Sequence, residues 1–197
     1  LLLAVAFALN YSANAQWTAQ NTNFTAASRG VEDIKIVDAN TVWALGYDGS
    51  STTPANVQEF TKTTNGGTTW TTGTVNVSNT GLTLTNISAA SSTVAWVGAV
   101  DAANGGGGVW KTSDGGATWT KQNTSAYSTT GSLASYFNVV HFFDANNGLT
   151  QGDPIGTGVG EFEVYRTTNG GTSWTVVPAA SLPNPATGEY GYNGGNV

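Results

Sequence analysis

Three aspartates recur at comparable places in this sequence: Asp48 two residues after Gly46, Asp101 three after Gly98, and Asp153 one after Gly152. Each follows an apolar, strand-like run that closes on the glycine. Carboxylates gathered on one face of a fold can accept hydrogen bonds from sugar hydroxyls, ligate Ca²⁺ through oxygen, or supply the acid and base of glycoside hydrolysis. The same residue type is a common turn former, because its side chain accepts from nearby backbone N–H groups. Both readings stay open at this point.

Other residues with chemical potential are isolated. His141, the one histidine, lies between Val140 and Phe142 and reads as a strand residue lining a channel or a satisfied core histidine. Glu161 and Glu163 alternate along one strand and are expected on a solvated face. The run Gly105–Gly108 has no lysine or helix after it, so it is not a phosphate loop. Glu189, in Gly-Glu-Tyr-Gly, could enter the same face as the aspartates. The chain has no cysteine, which excludes disulfides, thiolate chemistry and a cysteine-based zinc site. A single histidine excludes a multi-histidine metal centre, and the sequence implies no cofactor and no metal. A net charge of −6 without a basic cluster argues against nucleic acid as a partner.

The elements that would position these residues repeat. Thr63–Trp70 reads TTNGGTTW, Thr112–Trp119 reads TSDGGATW, and Thr167–Trp174 reads TTNGGTSW, roughly 50 residues apart. In each, an Asx side chain (Asn65, Asp114, Asn169) can accept from backbone N–H groups further on. Gly67, Gly116 and Gly171 supply the positive φ of a tight hairpin, and Trp70, Trp119 and Trp174 drop an indole between adjacent units. Ahead of each box lie three strand patterns. The first are Ile34–Val37, Leu84–Ile87 and Val139–Phe143. The second are Val42–Gly46, Val94–Gly98 and Gly148–Gly152, aligned on Asp38, Ala90 and Asp144. The third are Glu59–Lys62, Val109–Lys111 and Phe162–Arg166, and a fourth strand starts at each box tryptophan.

Four antiparallel strands per unit of this length are the signature of a β-propeller blade. Seven Trp, seven Tyr and seven Phe can build its core, and a charged fraction of only 9% suits Thr-rich strands better than helices. The expected fold is all-β: a partial propeller of about three four-stranded blades over residues 31–78, 82–124 and 136–180, truncated at both ends, with the next blade starting in 186–197. Gln16–Thr22 repeats Thr118–Thr124 almost residue for residue, so 16–24 reads as an orphan outer strand that would close a longer ring. Residues 1–15, with the apolar run Leu1–Leu9 and the Ala13-Asn-Ala15 ending, read as part of a secretory signal peptide, too short to span a bilayer.

The three boxes resemble the Asp-box, or sialidase-type (BNR), repeat, in which such hairpins are structural and lie on the rim away from the active site. Phe142–Gly148, Gly152-Asp-Pro154, Phe162–Trp174 and Gly188–Gly191 are similar to secreted Bacteroidetes propellers of the photosystem II assembly factor-like kind. That resemblance implies export and a type IX sorting domain past Val197. A sialidase would need an arginine triad; the chain has only Arg29 and Arg166 and no Arg-Ile-Pro motif. The sequence therefore points to a secreted or cell-surface binding module for glycans or protein partners. Asp48, Asp101 and Asp153 are its candidate ligand contacts, with no catalytic residue assigned. The alternative is a glycoside hydrolase, sialidase-like or xyloglucanase-like, whose carboxylates lie partly outside the chain.

Overall fold

A computed structural model describes residues 18–50, 56–122, 127, 135–155 and 160–191. Among these residues, twelve strands form three four-stranded antiparallel sheets, each in simple sequence order. Blade 1 holds β1 (Arg29–Ile36), β2 (Val42–Asp48), β3 (Glu59–Thr63) and β4 (Thr71–Thr74). Blade 2 holds β5 (Thr83–Ala89), β6 (Ala95–Val100), β7 (Gly108–Thr112) and β8 (Thr120–Lys121). Blade 3 holds β9 (Phe137–Phe142), β10 (Gly148–Pro154), β11 (Phe162–Thr167) and β12 (Thr175–Val176). This is the all-β, partial-propeller architecture that the repeat implies. The leading peptide, residues 1–15, and Trp17 lie outside the described residues.

The ladders correct the sequence alignment of blade 2 by one residue. In the first turn of blades 1 and 3, Asp38 and Asp144 accept from the second and third amides that follow, Asn40 and Thr41, and Asn146 and Asn147. Blade 2 performs this with Ser91, whose hydroxyl accepts from Thr93 and Val94. Ser91, not Ala90, is thus the equivalent residue. Trp96 then matches Trp43, and Ala99 (opposite Leu84) matches Gly46 (opposite Val31) and Gly152 (opposite Phe137).

Adjacent blades are joined in the same way at both interfaces. The Trp43 indole donates to Ser91 O at 3.0 Å, and the Trp96 indole to Gly170 O at 3.1 Å. Lys62 donates to Ser92 O and Gly115 O, Lys111 donates to Gly170 O, and each ammonium lies over its own blade's tryptophan ring. Along the inner strands, side chains satisfy backbone groups on the neighbouring edge. Asp33 accepts from Ile87 N, Asn86 bonds both N and O of Val140, and Ser88 accepts from Phe142 N. An edge strand is thereby stitched without another strand beside it.

Packing follows this order. Ile87 and Val140 are 2% and 0% exposed beneath the preceding blade, whereas the equivalent Ile34 of blade 1 is 42% exposed and nearby Ile36 68%. Trp119 meets Trp43 and Phe60 of blade 1 edge-on, and Trp174 belongs to a cluster with Trp96, which stacks on Phe142. Residues 18–24 form no strand, yet they lie on blade 1 much as the end of blade 2 lies on blade 3. Gln20 approaches Gly67 as Gln122 approaches Gly171, and Phe24 packs on Gly46 as Tyr127 packs on Gly152.

One expectation fails inside blade 3. Glu163 is not on a solvated face; it is 5% exposed, bonded by the Ser135 hydroxyl and by the Tyr165 hydroxyl at 2.6 Å. Tyr165 is the next residue on the same face of β11, whereas Ser135 reaches it from ahead of β9.

Candidate functional site

Each box sits at the end of its blade where strand 3 turns into strand 4, beside the turn between strands 1 and 2. Gly66, Gly115 and Gly170 donate to Asn40 O, Thr93 O and Asn146 O of those turns. Thr63, Thr112 and Thr167 each accept from the second box glycine, at 2.9, 2.9 and 3.0 Å, while donating to the Asx oxygen. That oxygen also accepts from the amide of Thr69, Thr118 or Ser173. The glycines hold φ between +66° and +95°, the left-handed region that side chains resist. Asp114 differs from its Asn counterparts in one respect. Hydrogen bonds, first from the Thr118 hydroxyl and then from the Thr118 amide and Thr112 hydroxyl, draw its pKa down to about 2.

Antiparallel order places the loops between strands 2 and 3, and the links from strand 4 to the next blade, at the opposite end. The three candidate aspartates lie there in separate surroundings. Asp48 faces Arg29 across the β1–β2 ladder and accepts from the Ser50 amide and hydroxyl. Arg29 itself forks onto Glu59, both contacts at 3.1 Å, and that bond raises its pKa. Asp101 accepts from Ala103 N, Asn104 N and Asn104 Nδ2, each at 3.0 Å, and these bonds, the side-chain amide foremost, lower its pKa. Asp153 accepts from Asn138 Nδ2 at 2.7 Å and from Gly191 N at 2.8 Å. The last contact brings the Gly188–Gly191 segment onto blade 3, with Tyr190 exposed beside it.

Asp48 and Asp101 stand two residues past equivalent positions, Gly46 and Ala99, whereas Asp153 stands one past Gly152. The triplet is therefore two matched residues and one offset. Among the described residues, no three His, Asp or Glu side chains gather closely enough to hold a metal ion. His141 lies edge-on to Phe143, with its pKa lowered by burial and by Lys35.

A cavity of about 360 Å³ opens beside Asp101, which sequence reasoning missed. Its walls come from the link between blades 1 and 2 (Val77, Ser78, Asn79, Leu82), the glycine loop, and the outer strands of blade 2 (Trp110, Trp119, Lys121). A smaller cleft of about 280 Å³ occupies the corresponding place in blade 1, lined by Phe24, Thr25, Glu59 and Thr72. The signal that could have found both is the shared spacing of Phe24 after Trp17 and Val77 after Trp70, seven residues in each case.

The sequence matches no protein-family profile and no curated protein. Solved structures do match. The GH74 xyloglucanase from Xanthomonas campestris is similar over 76% of this chain and 22% of that one, at 15% identity and a TM-score of 0.55. The fold is shared. The Niastella koreensis GH74 enzyme is similar over 82% of this chain and 24% of that one, at 17% identity and a TM-score of 0.51. YCF48 from Cyanidioschyzon merolae is similar over 76% of this chain and 40% of its own, at 19% identity and a TM-score of 0.48. The chain thus spans between about a fifth and two fifths of these structures. No helix among the described residues is long and apolar enough to cross a membrane.

Proposed function

We propose that this chain is part of an exported β-propeller, built of Asp-box-type repeats, that binds a glycan or protein ligand at the end of the blades opposite the boxes. The observation that carries the reading is the contrast between those ends. The boxes spend their polar groups on one repeated hydrogen-bond pattern, while the other end presents Asp48, Asp101, Asp153 and an open cavity in three different settings. Function on repeat folds resides in such divergent loops rather than in the elements that stack. Residues 18–24 fit the same picture as the outer edge of a further blade, since they touch blade 1 as the end of blade 2 touches blade 3.

A glycoside hydrolase is the second reading, favoured by the fold shared with the two GH74 enzymes. General acid catalysis at a sugar oxygen needs a carboxyl with a raised pKa. The carboxylates that shift here, Asp38, Asp101, Asp114 and Asp144, all shift downward because they accept hydrogen bonds. None of these four carboxyls is suited to act as that acid. A glycan array together with a reducing-sugar assay tests both readings. Retention on glycans without hydrolysis supports the binding module. Sugar release that disappears in Asp48→Ala or Asp153→Ala would replace it with the hydrolase.

A further inference from the structure

The cavity beside Asp101 has a counterpart in blade 1, and the two differ in what fills them. Phe24 lines the blade 1 cleft and packs on Gly46; in blade 3, Tyr127 packs on Gly152 in the same manner. In blade 2 the residue at the same spacing as Phe24, seven after a tryptophan, is Val77, and Ala99 stands where the other blades have Gly46 and Gly152. A smaller side chain there leaves room, and the blade 2 cavity is the larger of the two. It is also built entirely from blades 1 and 2.

Its lining is chemically mixed. Val77, Leu82 and the edges of Trp110 and Trp119 are apolar, and Lys121 Nζ lies 5.1 Å from the Trp110 ring centre. The Ser78 hydroxyl, the Asn79 amide nitrogen and the Lys121 ammonium make no hydrogen bond to any described residue, and they line the same cavity as Asp101, whose carboxylate accepts from Ala103 and Asn104. Ser78 holds φ at +61°, a conformation that costs a non-glycine residue energy and recurs at ligand clamps. Gly105 and Gly107, also at positive φ, bring bare backbone to the rim.

We infer that this cavity binds one ring of a neutral saccharide. The inference rests on the ligand-binding reading and narrows it to a ligand class and a place. A pyranose offers apolar C–H faces to Val77, Leu82 and the indoles, and hydroxyls that both donate and accept. That matches a lining that mixes apolar surface with the Ser78 hydroxyl, the Asn79 amide, Asp101 and the Lys121 ammonium. Its volume lies within the usual range of small-ligand sites. The chain's net charge of −6 disfavours polyanionic sugars.

The test is titration calorimetry of the whole chain with cellotetraose, xylotetraose and mannotetraose, and with tetragalacturonate as the acidic arm. Binding of a neutral tetrasaccharide is expected, weakened at least tenfold by Asn79→Ala combined with Lys121→Ala, both at exposed positions. Val77→Phe, which copies the blade 1 residue, should abolish it while circular dichroism keeps the β signature; exposed Ser113→Ala should change it less than twofold. Binding that survives both cavity variants would sink this site and leave the glycan-binding reading standing. Preference for tetragalacturonate would overturn the neutral assignment, and no binding by any tetrasaccharide would remove the saccharide reading altogether.

Discussion

At the box end of the blades, Thr63, Thr112 and Thr167 make the same bonds to the same partners, and Gly66, Gly115 and Gly170 tie each box to the neighbouring turn. At the other end, Asp48 and Asp101 share a register and accept from the amide two residues on, but differ in their remaining bonds. Asp153 shares neither register nor partner with them. Local hydrogen bonding decides the geometry of the first end, so it repeats. Neighbouring loops decide the second, so it diverges. The first holds the sheets in shape, and the second varies from blade to blade.

The largest test of this contrast is Gly116→Ala. A Cβ there would lie 2.2 Å from the Phe60 ring at a φ of +95°, and a loss of about 3 kcal/mol in urea unfolding is expected. Next comes Thr112→Val, which leaves the buried Gly116 amide without its acceptor and should cost about 1–3 kcal/mol. Replacing Lys62 by Met removes the donor to Ser92 O and Gly115 O and should cost about 1–2 kcal/mol, read as a lowered unfolding midpoint. By contrast, Asp48→Asn at the other end should move unfolding by less than about 0.5 kcal/mol. A loss there as large as that of Thr112→Val would erase the distinction between the ends.

The smallest expected effect concerns pH. Asp114 has a folded pKa below its unfolded value, so its contribution is complete above about pH 4 and is lost as pH falls toward about 2. Asn65 and Asn169 do not titrate. Protection of the Thr118 amide, its exchange rate relative to the intrinsic rate at each pH, should therefore fall over that window while that of Thr69 and Ser173 does not, and Asp114→Asn should remove the difference.

Much of the fold was legible because the boxes are local: Asx, two glycines and a hydroxyl within a few residues determine their own geometry. The second blade was read one residue out because Ser91 does with a hydroxyl what Asp38 and Asp144 do with a carboxylate. Gly98 then looked like the partner of Gly46, although its real reason is the Phe137 ring, which a Cβ would approach within 2.1 Å. The glycine run had no sequence explanation either. In the structure Gly106 bridges to blade 3, donating to Ser135 O and accepting from Phe137 N, and a Cβ on Gly107 would meet Ala99 O at 2.1 Å. The burial of Glu163 and the cavity by Asp101 were hidden for one shared reason: a distant segment contributes to each, Ser135 to the first and residues 77–82 to the second.

The Asn and Asp forms of the box also bear on how this protein ages. In the Asn boxes the amide nitrogen donates to Thr69 or Ser173; in the Asp box the bond reverses, and Thr118 donates to the carboxylate. A hydroxyl rotates to serve either direction. Asn65 and Asn169 each precede glycine, and asparagine is among the thermolabile residues. Deamidation that ends in aspartate would produce the chemistry that Asp114 already uses, whereas the isoaspartate product would lengthen the backbone by one carbon inside the hairpin; the Asp box has no amide there to lose.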